Sequence, residues 1–180
     1  MTRTSQTDPL RIDGVAAGSA SGIIGLTICP GKHDPAAMTG SWARDLEADL
    51  IAIREWGSAT LVTLIESHEF ALLKVPDLGR CARELGFDWH HLPIRDVGIP
   101  GKPFETGWVR SGPILCDALK AGKRVTVHCR GGLGRSGLVA ARLLVDLGVR
   151  PRDAINRVRA VRPGAIETRE QERYVLALSD

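Results

Sequence analysis

The sequence predicts an α/β layer fold, with a central, mostly parallel sheet of about five strands flanked by helices. Three observations carry this. Runs rich in β-branched residues alternate with stretches of helical periodicity along the chain, the pattern of strands joined by crossover helices. With 180 residues and 43% hydrophobic content, the chain can bury one substantial core and is short for two. The run "RVTVH" ends in a cysteine and a glycine-rich turn that opens into an apolar helix, and in such folds catalytic loops lie at the carboxyl ends of strands.

Residues 1–8 are polar and read as a flexible tail, with a single domain over 9–180. "LRIDGV" (10–15) and "IIGLTICP" (23–30) predict two strands, with "AAGSAS" turning between them. "SWARDLEADLIAIREWG" carries apolar residues at 42, 46, 50, 53 and 56, a helical stripe that starts at a Ser41 cap and ends at Gly57. "ATLVTLI" (59–65) is a buried strand, "PDLGRCAREL" a helix started by Pro76, and "FDWHHLP" a further strand. "PFETGWVRSGPILCDALKAG" reads as helix with a kink or break at Pro113. "RVTVH" is a strand, and Gly134 to Leu147 a helix closed by Gly148. Helices over Pro151–Val161 and Thr168–Ser179 finish the chain.

Composition narrows the function. The formal charge of +3 suits an anionic substrate without pointing to nucleic acid. The C-terminal arginines are spread over helical segments, and Tyr174 is the only aromatic residue among them, so base-stacking interleaving is missing. Cys29, Cys81, Cys116 and Cys129 are widely spaced with no C-x-x-C pair, which argues against a zinc site or a disulfide framework. The N-terminus is polar where a signal peptide would enter its apolar core. "VAAGSASGIIGLTIC" is too rich in Gly and Ser to span a bilayer. A cytoplasmic protein with free thiols is expected, with Cys29, Cys81 and Cys116 in apolar, core-forming segments.

Between Cys129 and Arg135 lie five residues, Arg130, Gly131, Gly132, Leu133 and Gly134, three of them glycine. Glycines let successive backbone N–H groups converge on one point, an anion nest. A helix starting near Gly134 adds its N-terminal partial charge there. Arg135 can lay its planar fork over two oxygens of a tetrahedral anion. The same field favours the thiolate of a cysteine placed in it. A Walker A loop would need Lys before Ser136, which here follows arginine.

"HCRGGLGRS" resembles the His-Cys-x5-Arg-Ser/Thr signature of cysteine-dependent protein phosphatases, with Gly132 and Gly134 in the form common in dual-specificity members. "GLTICPG" (25–31), "HHLPIRDVGIP" (90–100) and "RPGAIETREQERYV" (162–175) occur in the same order as related stretches of the kinase-associated phosphatase group. The resemblance runs from about Pro9 to Val175. It implies that group's five-stranded fold and a phosphocysteine mechanism, with Cys129 as nucleophile. Arg135 and the loop from Arg130 to Gly134 would bind phosphate.

The departing oxygen must be protonated, and a carboxylic acid on a neighbouring loop serves. Asp96 follows a strand end, is flanked by Gly98, Pro100 and Gly101, and aligns with the family's general acid. By resemblance Ser136 hydrogen-bonds the leaving thiolate, and His128 orders the loop. Glu167 stands where related sequences often carry a Gln that places the hydrolytic water, and Gln171 matches a second recurrent position. No cofactor or metal is required, because backbone N–H groups and Arg135 supply the charge stabilisation. The expected substrate is a phosphorylated protein, with no nucleic acid and no membrane span. A phosphoinositide phosphatase and a catalytically idle phosphate-binding module are the alternatives, and sulfur transfer or arsenate reduction through the same thiol is a minor one.

Overall fold

A computed structural model describes residues 1–178. Strands β1 (Asp13–Ala16), β2 (Ile23–Thr27), β5 (Ser58–Thr63), β6 (Asp88–His91) and β7 (Arg124–His128) form a sheet in the order β1-β2-β7-β5-β6. β1 is antiparallel to β2, and the other pairings are parallel, so the predicted mostly parallel five-stranded sheet is the one observed. Two short strands, β3 (His33–Asp34) and β4 (Trp42–Ala43), pair separately.

Helices cover both faces. Leu50 and Ile53 of α1 (Leu46–Glu55) and Leu78 and Ala82 of α3 (Leu78–Glu84) pack with Leu61 and Ile65 on one side. On the other, Val62, Leu64, Val125 and Val127 pack against α4 (Lys102–Lys120), α5 (Gly134–Asp146), α6 (Pro151–Val161) and α7 (Arg169–Leu176). Leu61 and Val62 therefore serve opposite cores, as the two-residue period of a strand requires. β7 lies between β2 and β5, with Thr27 and Thr63 both in register with His128. That places the strand leading to Cys129 at the middle of the sheet.

Several elements differ from the sequence reading. Trp42 and Ala43 are strand, so α1 starts later than Ser41, with the Asp45 carboxylate accepting the Ala48 N–H at 2.7 Å. Trp42 pairs with Asp34 across β3 and β4, and its ring lies against the cations of Arg3, Lys32 and Arg44. A short helix, α2 (Ser67–Leu72), has no counterpart in the sequence reading; a reciprocal capping box between Glu66 and Glu69 starts it. α4 runs through Pro113 unbroken. Residues 1–8 are tied to the body: Arg3 exchanges backbone hydrogen bonds with Ser41 and Ala43 at 2.9 Å, and Ser5 Oγ donates to the Asp49 carboxylate at 2.8 Å. α7 is observed to Leu176, and the predicted extension to Ser179 lies outside the described residues.

The start of α5 is packed against the segment preceding α7. A Cβ on Gly137 would lie 2.8 Å from both the Ala165 Cβ and the Ile166 backbone nitrogen, so the two backbones approach as closely as only glycine permits. Gly137→Ala is expected to destabilise the fold by about 1–3 kcal/mol, read as a lower urea midpoint.

Candidate active site

The strand end is fixed first. Thr63 Oγ1 lies 2.8 Å from His128 Nε2 and also accepts the Trp89 indole N–H at 2.8 Å. A hydroxyl that accepts from the indole has its own proton for the imidazole, so Nε2 is the acceptor. His128 is fully buried, and burial pushes it down to about 3; it is a neutral element of the scaffold.

Cys129 follows and is 3% exposed. Its Sγ lies 3.0 Å from Ser136 Oγ, on the first turn of α5. Between them the loop bends through Gly132 at φ +66°, where a Cβ would lie 2.5 Å from the Thr27 carbonyl oxygen. The carbonyls turned outward there are held by Arg162, which donates to the Gly132 oxygen at 3.0 Å and the Gly131 oxygen at 3.5 Å. Asp13 in turn holds that guanidinium at 2.6 Å. Arg162 stood in the sequence only as part of a recurring stretch, since a contact spanning most of the chain leaves no local signal.

Arg135 is 2% exposed and locked in its plane. Glu69 of α2 takes two hydrogen bonds from it at 2.6 and 2.9 Å, and the Ile94 carbonyl a third at 3.1 Å. Burial opposes the Glu69 charge, yet the hydrogen bonds from Arg135 and the Glu66 N–H hold its carboxyl below the usual range. Asp96 Oδ1 lies 2.9 Å from Arg135 Nη2. The structure thus pairs Cys129 with Ser136 and Asp96 with Arg135, the two pairs joined through adjacent residues at the start of α5. Val97, next to Asp96, is held at φ +60°, a costly conformation for a β-branched residue.

Gln171 is fully buried. Its Oε1 accepts the Glu167 and Thr168 N–H groups at 2.8 and 3.3 Å, and its Nε2 donates to the Gly98 carbonyl at 3.0 Å. The start of α7 is thereby tied to the loop that carries Asp96. Glu167 sits beside Gly134, where a Cβ would be 2.7 Å from Glu167 Oε2 and 3.0 Å from the Gln171 amide. Arg130 is already engaged: its guanidinium donates to both oxygens of the buried Asp34 at 2.9 and 3.1 Å. Leu133 uses its carbonyl to accept from Gly137 and Ile166. Cys29, Cys81, Cys116 and Cys129 are free thiols; burial raises both Cys29 and Cys116, the latter to about 11. Among the described residues no group of three or more His, Cys, Asp or Glu side chains is placed to hold a metal. Nor is any described helix long and apolar enough to cross a membrane.

A cysteine at the end of the central parallel strand, facing an anion loop on a five-stranded sheet, is the arrangement of the cysteine-dependent phosphatase fold. The chain belongs to the Cyclin-dependent kinase inhibitor 3 family, whose sequence model matches residues 6–156. It is 34% identical over 140 residues to Cyclin-dependent kinase inhibitor 3 of Rattus norvegicus, a match covering 76% of this chain and 65% of that relative's length. Kinase associated phosphatase, solved with its catalytic-site cysteine replaced by serine, superposes with a TM-score of 0.81 at 29% identity, covering 94% of this chain and 97% of that one. Tk-PTP in its active form superposes at 0.66 and 26% identity, covering 92% and 94%.

Glu69→Gln removes the charge that Arg135 is built around. Breaking a buried pair on one side costs about 3–5 kcal/mol, read as a lower urea midpoint at pH 7. Because the folded-state carboxyl is held below its unfolded value, this stabilisation is complete above about pH 4.3. It is lost as pH falls through the folded value, so wild type and variant should converge in acid.

Proposed function

We propose that this chain hydrolyses phosphate monoesters of phosphorylated proteins through a phosphocysteine intermediate. The observation that carries this reading is Cys129 Sγ beside Ser136 Oγ on the first turn of α5, with the adjacent Arg135 guanidinium bound to the Asp96 carboxylate. An incoming phosphate places its oxygens on the backbone N–H groups of the loop and on Arg135. Arg135 is then shared between the phosphate and Glu69, and Asp96 is released from it to act as an acid.

In the first step Cys129 Sγ attacks phosphorus while the bond to the leaving oxygen breaks, and Asp96 gives that oxygen its proton. In the second, water attacks phosphorus and passes a proton to Asp96 as the S–P bond breaks. Ser136 donates its hydroxyl hydrogen bond to the sulfur that leaves as thiolate. Glu167, beside Gly134, and the buried Gln171 orient that water as the family resemblance implies, Gln171 also fixing the Asp96 loop through Gly98. Charge on the transferring group is met by N–H donors and Arg135, so the reaction proceeds without a metal or cofactor. Four free thiols fit a reducing, cytoplasmic setting. The names of its relatives, which point to kinases and phosphatases, favour a phosphorylated protein as substrate.

Hydrolysis of p-nitrophenyl phosphate in the presence of EDTA is expected for wild type and not for Cys129→Ser. Activity that persists in the serine variant, or that EDTA abolishes, would sink the thiolate mechanism. Folded wild type that binds vanadate without turnover would mark a phosphate-binding module instead. Asp96→Asn should retain vanadate binding and lose about 10²–10⁴-fold in turnover on alkyl phosphates, whose leaving groups need the proton most. Release of phosphate from phosphopeptides should exceed that from soluble phosphoinositides at equal concentration; the reverse order would assign an inositide substrate.

A further inference from the structure

Lys32 lies in the turn between β2 and β3 with its side chain 3% exposed. A lysine so deeply buried is rare unless its charge is matched, and here the match is thin. Nζ donates to the Arg130 carbonyl at 3.2 Å and stands 4.0 Å from Asp34 Oδ2. It faces the Trp42 ring, 5.3 Å from its centre. The Asp34 carboxylate is already taken by two hydrogen bonds from Arg130, so those two charges cancel and Lys32 is the surplus cation. Burial pushes Lys32 below its ordinary value, and Asp34 pulls it back. An apolar residue in this space would avoid the desolvation.

The surplus matters because of what lies across the loop. Arg135 is shared between two carboxylates, Glu69 and Asp96, so that side of the site carries no excess positive charge. The carbonyl that Lys32 holds belongs to the residue after Cys129, and the same oxygen accepts the Cys29 N–H at 3.5 Å.

We propose that Lys32 is a positioning residue for the thiolate. It is a fixed cation behind the anion loop that turns the Arg130 carbonyl away from the site and favours the ionised form of Cys129. This rests on the phosphatase reading above. The titratable and charged groups that act on Lys32 are Asp34, Arg130, Cys29 and Cys129. Arg44 is paired to Asp49 beyond Trp42. Around Cys129 stand Cys29, Lys32 and Arg135, with His128 preceding it in the chain, and Glu69 and Asp96 are bound to Arg135.

The test is the pH profile of Cys129 alkylation by iodoacetamide. It is followed by mass spectrometry of the Cys129 peptide, with p-nitrophenyl phosphate turnover and urea midpoints measured in parallel. Lys32→Gln keeps a donor for the Arg130 carbonyl and removes the charge, Lys32→Met removes both, and Lys32→Arg keeps the charge. The alkylation midpoint is expected to move up by about half a unit or more in Lys32→Gln and Lys32→Met, and the acidic limb of kcat/KM with it. Lys32→Arg should restore it to near the wild-type position. If Lys32→Met fails to fold, the Gln and Arg variants decide. Equal midpoints in wild type and Lys32→Gln, or a shift in Lys32→Arg as large as in Lys32→Gln, would overturn the proposal while wild type still turns over substrate. A wild type without turnover overturns the phosphatase reading itself, and the role of Lys32 with it.

Discussion

The arrangement depends on the buried pair between Arg135 and Glu69. A guanidinium with almost no contact with water must be matched and hydrogen-bonded, or its desolvation would unfold the loop around it. Glu69 meets that demand with two oxygens, and the Ile94 carbonyl accepts a further hydrogen bond. The pair joins α5 to α2 and to the chain leading to Asp96. The loop is thereby stretched between two fixed ends, the His128–Thr63 bond at the strand and the Arg135–Glu69 pair at the helix. On the loop itself, Lys32 donates to the Arg130 carbonyl and Arg162 to the Gly132 carbonyl.

Much of this was legible in the sequence. Cys129, the glycines, Arg135 and Ser136 lie within eight residues, and their spacing is what suggests a nest, a nucleophile and a clamp without help from the rest of the chain. The sheet was legible for a similar reason, since β5 and β7 carry their burial in the run of residues itself. Asp96 required the family resemblance, because an aspartate in a turn has no local mark of its use.

What stayed hidden has one physical cause: the partner of a buried charge is chosen by tertiary structure. Glu69 lies in a six-residue helix with no long apolar stripe, and nothing in "ESHEF" points toward Arg135. Lys32 lies between β2 and β3 and Asp34 in the two-residue strand β3, and neither has a local pattern that marks it as buried. The start of α1 was misplaced because Trp42 fits a helical stripe, whereas it pairs with Asp34 in a strand. The pairing of the Arg130 guanidinium with Asp34 is likewise absent from the local sequence.

The row formed by Thr27, His128 and Thr63 has a consequence for how the protein comes into being. The central strand is laid down after both of its neighbours in the chain and must insert between them, through parallel pairings of long sequence separation. Such closures are entropically late. Gly132 then docks on Thr27, and Gln171 reaches Gly98 from near the other end of the chain. A nascent or partly denatured chain therefore has the thiol without the nest around it. The surroundings of Cys129 come into being together with the native topology and are lost with it.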